Sequence, residues 1–272
     1  MQSLVEARPA PARAEPIPPA SLWERHARGL RVLAGLVAGG ILWEVVARWL
    51  NDPLFLVPPS TVVQHGAEML ANGQLLPHVW ASLVEFAVGL ALACVVGVLL
   101  GLAIAVSPGF DDLTSGWIAA LYATPIVALA PLVILWFGLT VWSKVFVVFT
   151  VAVFPVLVNT AEGIRSTDPN LVEAARSFSA TRRQIFTRVM IPYALPFIFA
   201  GFRLAVGRGL IGVVVGEFFG ANIGLGYLIF QASTRFDMPS LFVAVSVLAV
   251  LGVVLTALAN WTTDRLTPWK RA

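Results

Sequence analysis

The sequence predicts an all-α integral membrane protein with six transmembrane helices, and three observations carry that prediction. Hydrophobic residues make up 58% of the 272, while charged residues make up 12%, about half the usual share in a globular chain. The mean hydropathy of +0.84 exceeds what a soluble domain of this length could bury under a charged skin, and it excludes a disordered chain for the same reason. Apolar runs of about 20 residues recur along the sequence, each long enough to cross ~30 Å of hydrocarbon. Such runs must be helical, because lipid offers the backbone no hydrogen-bond partners.

Residues 1–30 are rich in Pro, Ala and Arg, without periodicity, and are expected to form a disordered cytoplasmic tail. The basic region is too long and the first apolar run too late for a signal peptide. A six-span domain follows over 31–265, with a short tail at 266–272. Its spans are expected at about 31–50, 82–106, 113–137, 141–160, 190–216 and 239–262. The third and fourth are divided only by Gly138, Leu139 and Thr140, with Trp142 and Lys144 as interface residues just beyond. Two polar segments are longer than turns. In 51–77, Val57-Pro58-Pro59-Ser60 precedes a mildly amphipathic stretch, and 217–237 is glycine-rich at its start and reads as a short re-entrant or surface helix.

Smaller features fill in the packing. Gly35 with Gly39, Gly97 with Gly101 and Gly212 with Gly216 are small-residue pairs that predict close helix contacts within the chain. Pro125, Pro131 and Pro155 predict bends in the third and fourth spans. Glu44 and Arg48, four residues apart, read as a snorkelling pair, and Glu85 as an outer-interface residue of the same kind.

Arginine and lysine placement orients the spans. With the N-terminus inside, 13 of these residues fall on the cytoplasmic side and 3 (Arg48, Lys144 and Arg235) outside. Both termini are therefore expected in the cytoplasm. The short inside loop at 107–112 runs against the pattern, being acidic.

Several chemistries are excluded. Cys94 is the sole cysteine, so no intrachain disulfide is possible, and His26, His65 and His78 lack zinc-ligand spacing. The two lysines, Lys144 and Lys270, do not follow glycine, so the chain lacks a phosphate-binding P-loop. No paired carboxylates or nucleophile–base set supports catalysis, and no cofactor is implied. The basic pI of about 9.5 comes from arginines flanking apolar spans, not from an aromatic-rich basic face that would bind nucleic acid.

The most polar internal stretch, 161–188, reads as two short helices. Asp168 can cap the first, with Pro169 at its first position, where a missing N–H costs nothing. Leu171, Ala174, Ala175 and Phe178 then share one side. Thr181 can cap the second helix, with Gln184 reaching back as in a capping box.

Within this stretch Glu173-Ala174-Ala175, followed by Ile191-Pro192 and Leu195-Pro196, resembles the EAA loop of permease subunits in binding-protein-dependent ABC importers. Val57-Pro58-Pro59-Ser60, Thr124-Pro125, Ala130-Pro131, Trp136-Phe137-Gly138 and Gly224-Leu225-Gly226-Tyr227 resemble the nitrate/sulfonate/taurine branch, and the likeness runs from about 54 to 261. One position departs from the pattern: Ser179 stands where the family usually has a glycine that permits a left-handed turn.

The resemblance implies a type I importer permease fold with a cytoplasmic coupling helix, in a bacterial inner membrane. Glu173, Ala174, Ala175, Arg176, Ser179, Arg182 and Arg183 would then dock on a cytoplasmic ATPase subunit, which hydrolyses ATP on a separate chain. Two ATPase copies, an external substrate-binding protein and a second permease copy are implied as partners; since one chain supplies one coupling loop, a homodimer is the simplest assembly. The branch points to a small anionic solute, such as a sulfonate, nitrate or taurine.

Arg203 and Arg208 fall inside the fifth span, where a charge is costly and functional by default. They are candidates for the solute path; the alternative is structural pairing, with Glu217 or a backbone carbonyl. Two rival classes make other predictions. A stand-alone secondary transporter or channel would show inverted repeats, discontinuous helices at mid-membrane and buried acids. A membrane enzyme would need a convergent catalytic set.

Overall fold

A computed structural model describes the backbone of residues 22–267 and the side chains of 29–267. The described chain is wholly helical: α1 (Leu22–Leu50), α2 (Pro59–Ala71), α3 (Leu75–Val106), α4 (Pro108–Ala123), α5 (Ile126–Phe137), α6 (Val141–Arg165), α7 (Pro169–Ser177), α8 (Arg182–Ile185), α9 (Ile191–Gly220), α10 (Leu225–Arg235) and α11 (Met238–Leu266). A π-helical turn, Phe186–Met190, joins α8 to α9. Pro192 cannot donate to the carbonyl four residues before it, and the wide turn lies where that ladder bond is missing.

Five helices, α1, α3, α6, α8 through α9, and α11, are long and apolar enough to cross a membrane. The expected third span differs. It is a pair, α4 and α5, bent by 98° at Thr124-Pro125, so the total is six only if the pair counts as one span. Pro125 has no N–H to extend the ladder, and it biases Thr124 out of the helical region, to ψ 129°. Pro131 and Pro155 stay inside helices. The chain is helical from Leu22, so the tail expected over 1–30 is helical in its last residues; its earlier part, and residues 268–272, lie outside the described residues.

The core is built around α6, whose most apolar stretch is 61% buried against 6% for α1. α6 packs along α3 on one side and α9 on the other. Small residues let the backbones approach. A side-chain carbon added at Gly97 or Gly101 would come within 2.8 Å of Val156 and 2.7 Å of Thr160, and one at Gly212 within 2.7 Å of Val151. Gly35 and Gly39 behave otherwise: nothing lies within 4 Å of either added carbon, because α1 stands at the margin and presents Leu33, Leu36, Ile41 and Trp49 outward. Exposed leucine and valine on α1, α3 and α11 are what a bilayer, rather than water, accepts as solvent.

The bundle has two differently built ends. One carries the connection 166–181 and the start of α4. The other is layered by α2, α10 and the start of α11, with Val57, Met69, Leu225, Leu228 and Val243 packed together. Proline at Pro59 and the Glu44 carboxylate shape α2: Ser60 donates its N–H (3.0 Å) and its hydroxyl (2.7 Å) to Glu44, which also pairs with Arg48 at 2.6 Å. The expected snorkelling pair is thus also a cap for the next helix.

Candidate functional site

At the loop end, α7 is formed as its residues dictate. Asp168 accepts from the N–H of Asn170 at 2.8 Å, with Pro169 in the first turn. The helix ends in a Schellman arrangement: Ala180 N–H donates to the Ala175 carbonyl (3.1 Å) and Ser179 N–H to the Arg176 carbonyl (2.8 Å). Ser179 itself takes φ 59°, the left-handed conformation that a glycine would adopt without strain. Thr181 and Gln184 then form the full capping box, with Thr181 N–H to Gln184 at 2.8 Å and Gln184 N–H to Thr181 at 3.3 Å.

This loop offers a surface. Glu173, Ala174, Arg176, Ser179, Arg182 and Arg183 are exposed and Ala175 is half-buried. Phe178 is 87% exposed and Leu171 47%, so the apolar side of α7 is turned outward with its arginines beside it. Behind it, Arg165 at the end of α6 pairs with Asp111 in the first turn of α4 at 2.6 Å. That bridge accounts for the acidic 107–112 loop, whose charge meets a cation of the next connection.

The opposite end holds a polar cluster that the spans conceal. Lys144 on α6 pairs with Glu85 on α3 at 3.1 Å, with side chains 5% and 2% exposed. Glu217, near the end of α9, accepts from the Ser82 hydroxyl at 2.5 Å and from Gly226 N–H at 2.6 Å. Ser82 in turn accepts from Leu225 N–H at 2.8 Å. The first amides of α10 are thereby capped by side chains from two other helices. Gly224 takes φ 129°, and a side chain there would run into the Glu217 carboxyl. His78 Nδ1 lies 2.9 Å from the Gly224 carbonyl and 3.1 Å from its N–H, donating to the first when protonated or accepting from the second when not, and the ring stacks on Tyr227.

These contacts correct the sequence expectations. Glu85 and Lys144 are not interface residues facing water; each neutralises the other inside the protein, because a lone buried charge would be far more costly. The signal that could have found them was the rule that ionisable groups within spans are paired or functional. It was missed because both lie toward span ends in the sequence.

Arg203 and Arg208 sit apart. Neither pairs with Glu217. Arg203 donates to the Asn260 side-chain oxygen on α11 at 3.2 Å. Arg208 donates to the Tyr122 hydroxyl at 2.9 Å and lies 5.0 Å from the centre of that ring. It lines a cavity of about 230 Å³ beside the α4–α5 break, with Tyr122, Thr124, Val127, Phe154 and Ile211. Two larger clefts, of about 490 and 560 Å³, are walled almost wholly by apolar side chains.

Comparison with known proteins agrees with this architecture. Residues 94–272 match the family described as "Binding-protein-dependent transport system inner membrane component". The chain is 36% identical to the formylaminopyrimidine transport permease protein of Halalkalibacterium halodurans, over 85% of this chain and 92% of that one. It is 35% identical to the riboflavin transport system permease protein of Chloroflexus aurantiacus (91% and 92% covered) and 30% identical to a putative aliphatic sulfonates transport permease protein of Bacillus subtilis (90% and 88%). Among solved structures, an inward-facing form of the MetNI methionine ABC transporter matches with a TM-score of 0.59 at 20% identity, over 71% of this chain and 94% of that one. An amino acid ABC transporter matches at 0.54 and 21% identity, over 74% and 97%. The discontinuous α4–α5 pair and the buried acids Glu85 and Glu217 are traits the stand-alone transporter reading anticipated, but the relatives are permeases of ABC systems. The chain belongs to the family of inner-membrane components of binding-protein-dependent transport systems and is a permease subunit of an ABC importer.

Proposed function

We propose that this chain forms the membrane path for a small anionic solute and is driven through the 161–188 loop by a separate cytoplasmic ATPase. The observation that carries the reading is the loop itself. α7 is short, capped at both ends and exposed on its apolar side, with small residues at Ala174 and Ala175 and cations at Arg176, Arg182 and Arg183. Such a helix can enter a groove and transmit its movement as a rigid body. The arginine distribution puts that loop and both termini in the cytoplasm.

In this reading two copies of the chain present two loops to two ATPase subunits, and a solute-loaded binding protein docks on the far side over α2 and α10. ATP binding draws the loops together and opens the path outward; hydrolysis resets it. The arginines at 203 and 208 favour an anion, and the sulfonate relative supports that class, whereas the formylaminopyrimidine and riboflavin relatives widen it to ring-bearing solutes.

The test is co-expression of the tagged chain with its candidate ATPase and binding-protein partners, followed by purification in detergent and ATPase assay. The wild-type chain should retain an ATPase whose turnover rises with loaded binding protein, and Glu173→Lys should release or uncouple it. Solute movement by the chain alone, with no ATPase retained, overturns the reading.

A further inference from the structure

We infer that Arg208 and Tyr122, at the α4–α5 break, form a transit subsite for an organic monoanion, a carboxylate or sulfonate on an apolar body. The inference rests on the permease reading above and narrows it to one of the two arginines.

Three observations meet at this spot. The first is charge. Arg208 lies twelve residues from the far end of α9, about 18 Å along the helix, and its hydrogen-bond and ring partner among the described residues, Tyr122, is neutral. A guanidinium at that depth is costly if it faces lipid. Tyr122 holds it through one Nη2 bond and ring contact, which leaves most of its five N–H donors for another acceptor. The second is backbone. Counted as one span, the α4–α5 pair breaks at Thr124-Pro125 after sixteen residues, which sets non-helical backbone within the membrane, at residues that are half-buried or exposed in the single chain. Irregular backbone is tolerated there only inside protein or along a wet cavity. The third is shape. The lining of the 230 Å³ cavity combines the Arg208 cation and the Tyr122 hydroxyl with apolar Val127, Phe154 and Ile211, a polar anchor among apolar side chains.

Arg203 does not share this site. It lies outside the cavity lining and is held by Asn260. The two arginines therefore separate: Arg208 meets the solute, and Arg203 joins α9 to α11.

The experiment reads local charge without knowing the solute. In a Cys94→Ala background, Ile211→Cys places a thiol on the cavity wall of the ATPase-bound transporter. Its labelling rates with anionic sulfonatoethyl and cationic trimethylammonioethyl methanethiosulfonate are compared. Both should react, with the anion favoured. Arg208→Gln should lower the anion-to-cation ratio about tenfold, the value of one charge-assisted hydrogen bond, while Arg203→Gln leaves it within about twofold. 4-Toluenesulfonate should slow labelling when Arg208 is present, and benzyltrimethylammonium should not. If Ile211→Cys disturbs assembly, Val127→Cys reports on the same cavity. A thiol silent to both reagents, or a ratio indifferent to Arg208→Gln, overturns the subsite. Because the ratio is read on a transporter that still couples to its ATPase, that result leaves the permease reading standing. A wild-type chain that never retains an ATPase overturns the coupling reading instead, and the ratio then still reports on the cavity.

Discussion

The two ends of the bundle solve one problem, how to finish a helix, in opposite ways. At the loop end each cap comes from a residue two or three positions away, as with Asp168 and Asn170 or Thr181 and Gln184, and the groups stand in water. At the far end the amides of α10 are capped by Ser82, 143 residues distant, and by Glu217, whose other oxygen is held by Ser82 across 135 residues. Lys144 and Glu85 complete that buried cluster. Local caps are cheap, modular and individually weak. The buried cluster is cooperative, since removing one member strands the others away from water. The loop end can therefore move as a unit without unravelling, whereas the far end ties α3, α6, α9 and α10 into one body.

Substitutions can break or sharpen this contrast. The largest effect is expected at Lys144. Lys144→Met leaves Glu85 as an unpaired buried carboxyl and should cost ~3–5 kcal/mol, with most of it restored in the Lys144→Met, Glu85→Met double variant. Survival of monodisperse protein after heating in detergent reads this, and a single variant as stable as wild type would dissolve the contrast. Next comes Gly224→Ala, where the new side chain meets Glu217 at a backbone angle suited to glycine. A loss of about 2–3 kcal/mol should appear as faster tryptic cleavage at Arg235, which ends α10.

Effects at the loop end should be smaller and local. Thr181→Ala removes one side of the capping box and should cost ~1 kcal/mol, seen as faster hydrogen exchange at the Gln184 amide with no change at α3 or α6. The smallest effect, of opposite sign, is at Ser179. Ser179→Gly should stabilise the turn by up to about 1 kcal/mol, measured as slower exchange of the Ala180 amide, and Ser179→Val should reverse it. Spread of any loop-end substitution into the core would show that the ends are not separate.

The difference between the ends also explains how far each was legible in the sequence. The Asp168-Pro169 start and the Thr181 and Gln184 box are written in windows of a few residues and formed as read, and the turn at Ser179 kept the left-handed form that its serine had left open. So did five of the six apolar runs, because their length answers to the bilayer alone; the third became the bent α4–α5 pair. Lys144 and Glu85 each look like an ordinary interface charge until α3 and α6 are laid side by side. Thr124-Pro125 announced a bend but not its 98°, which places Tyr122 against Arg208. Three glycine pairs looked equivalent, yet two touch α6 and the pair on α1 touches nothing within 4 Å.

Composition and period were enough for a helical membrane chain, its spans and its loop caps, since those depend on the solvent and on neighbours within a turn or two of helix. Which charges are paired, which glycines are contacts and where the cavity opens depend on partners remote in the chain. Their energies exist only once α6 lies between α3 and α9, and no short window of residues carries them.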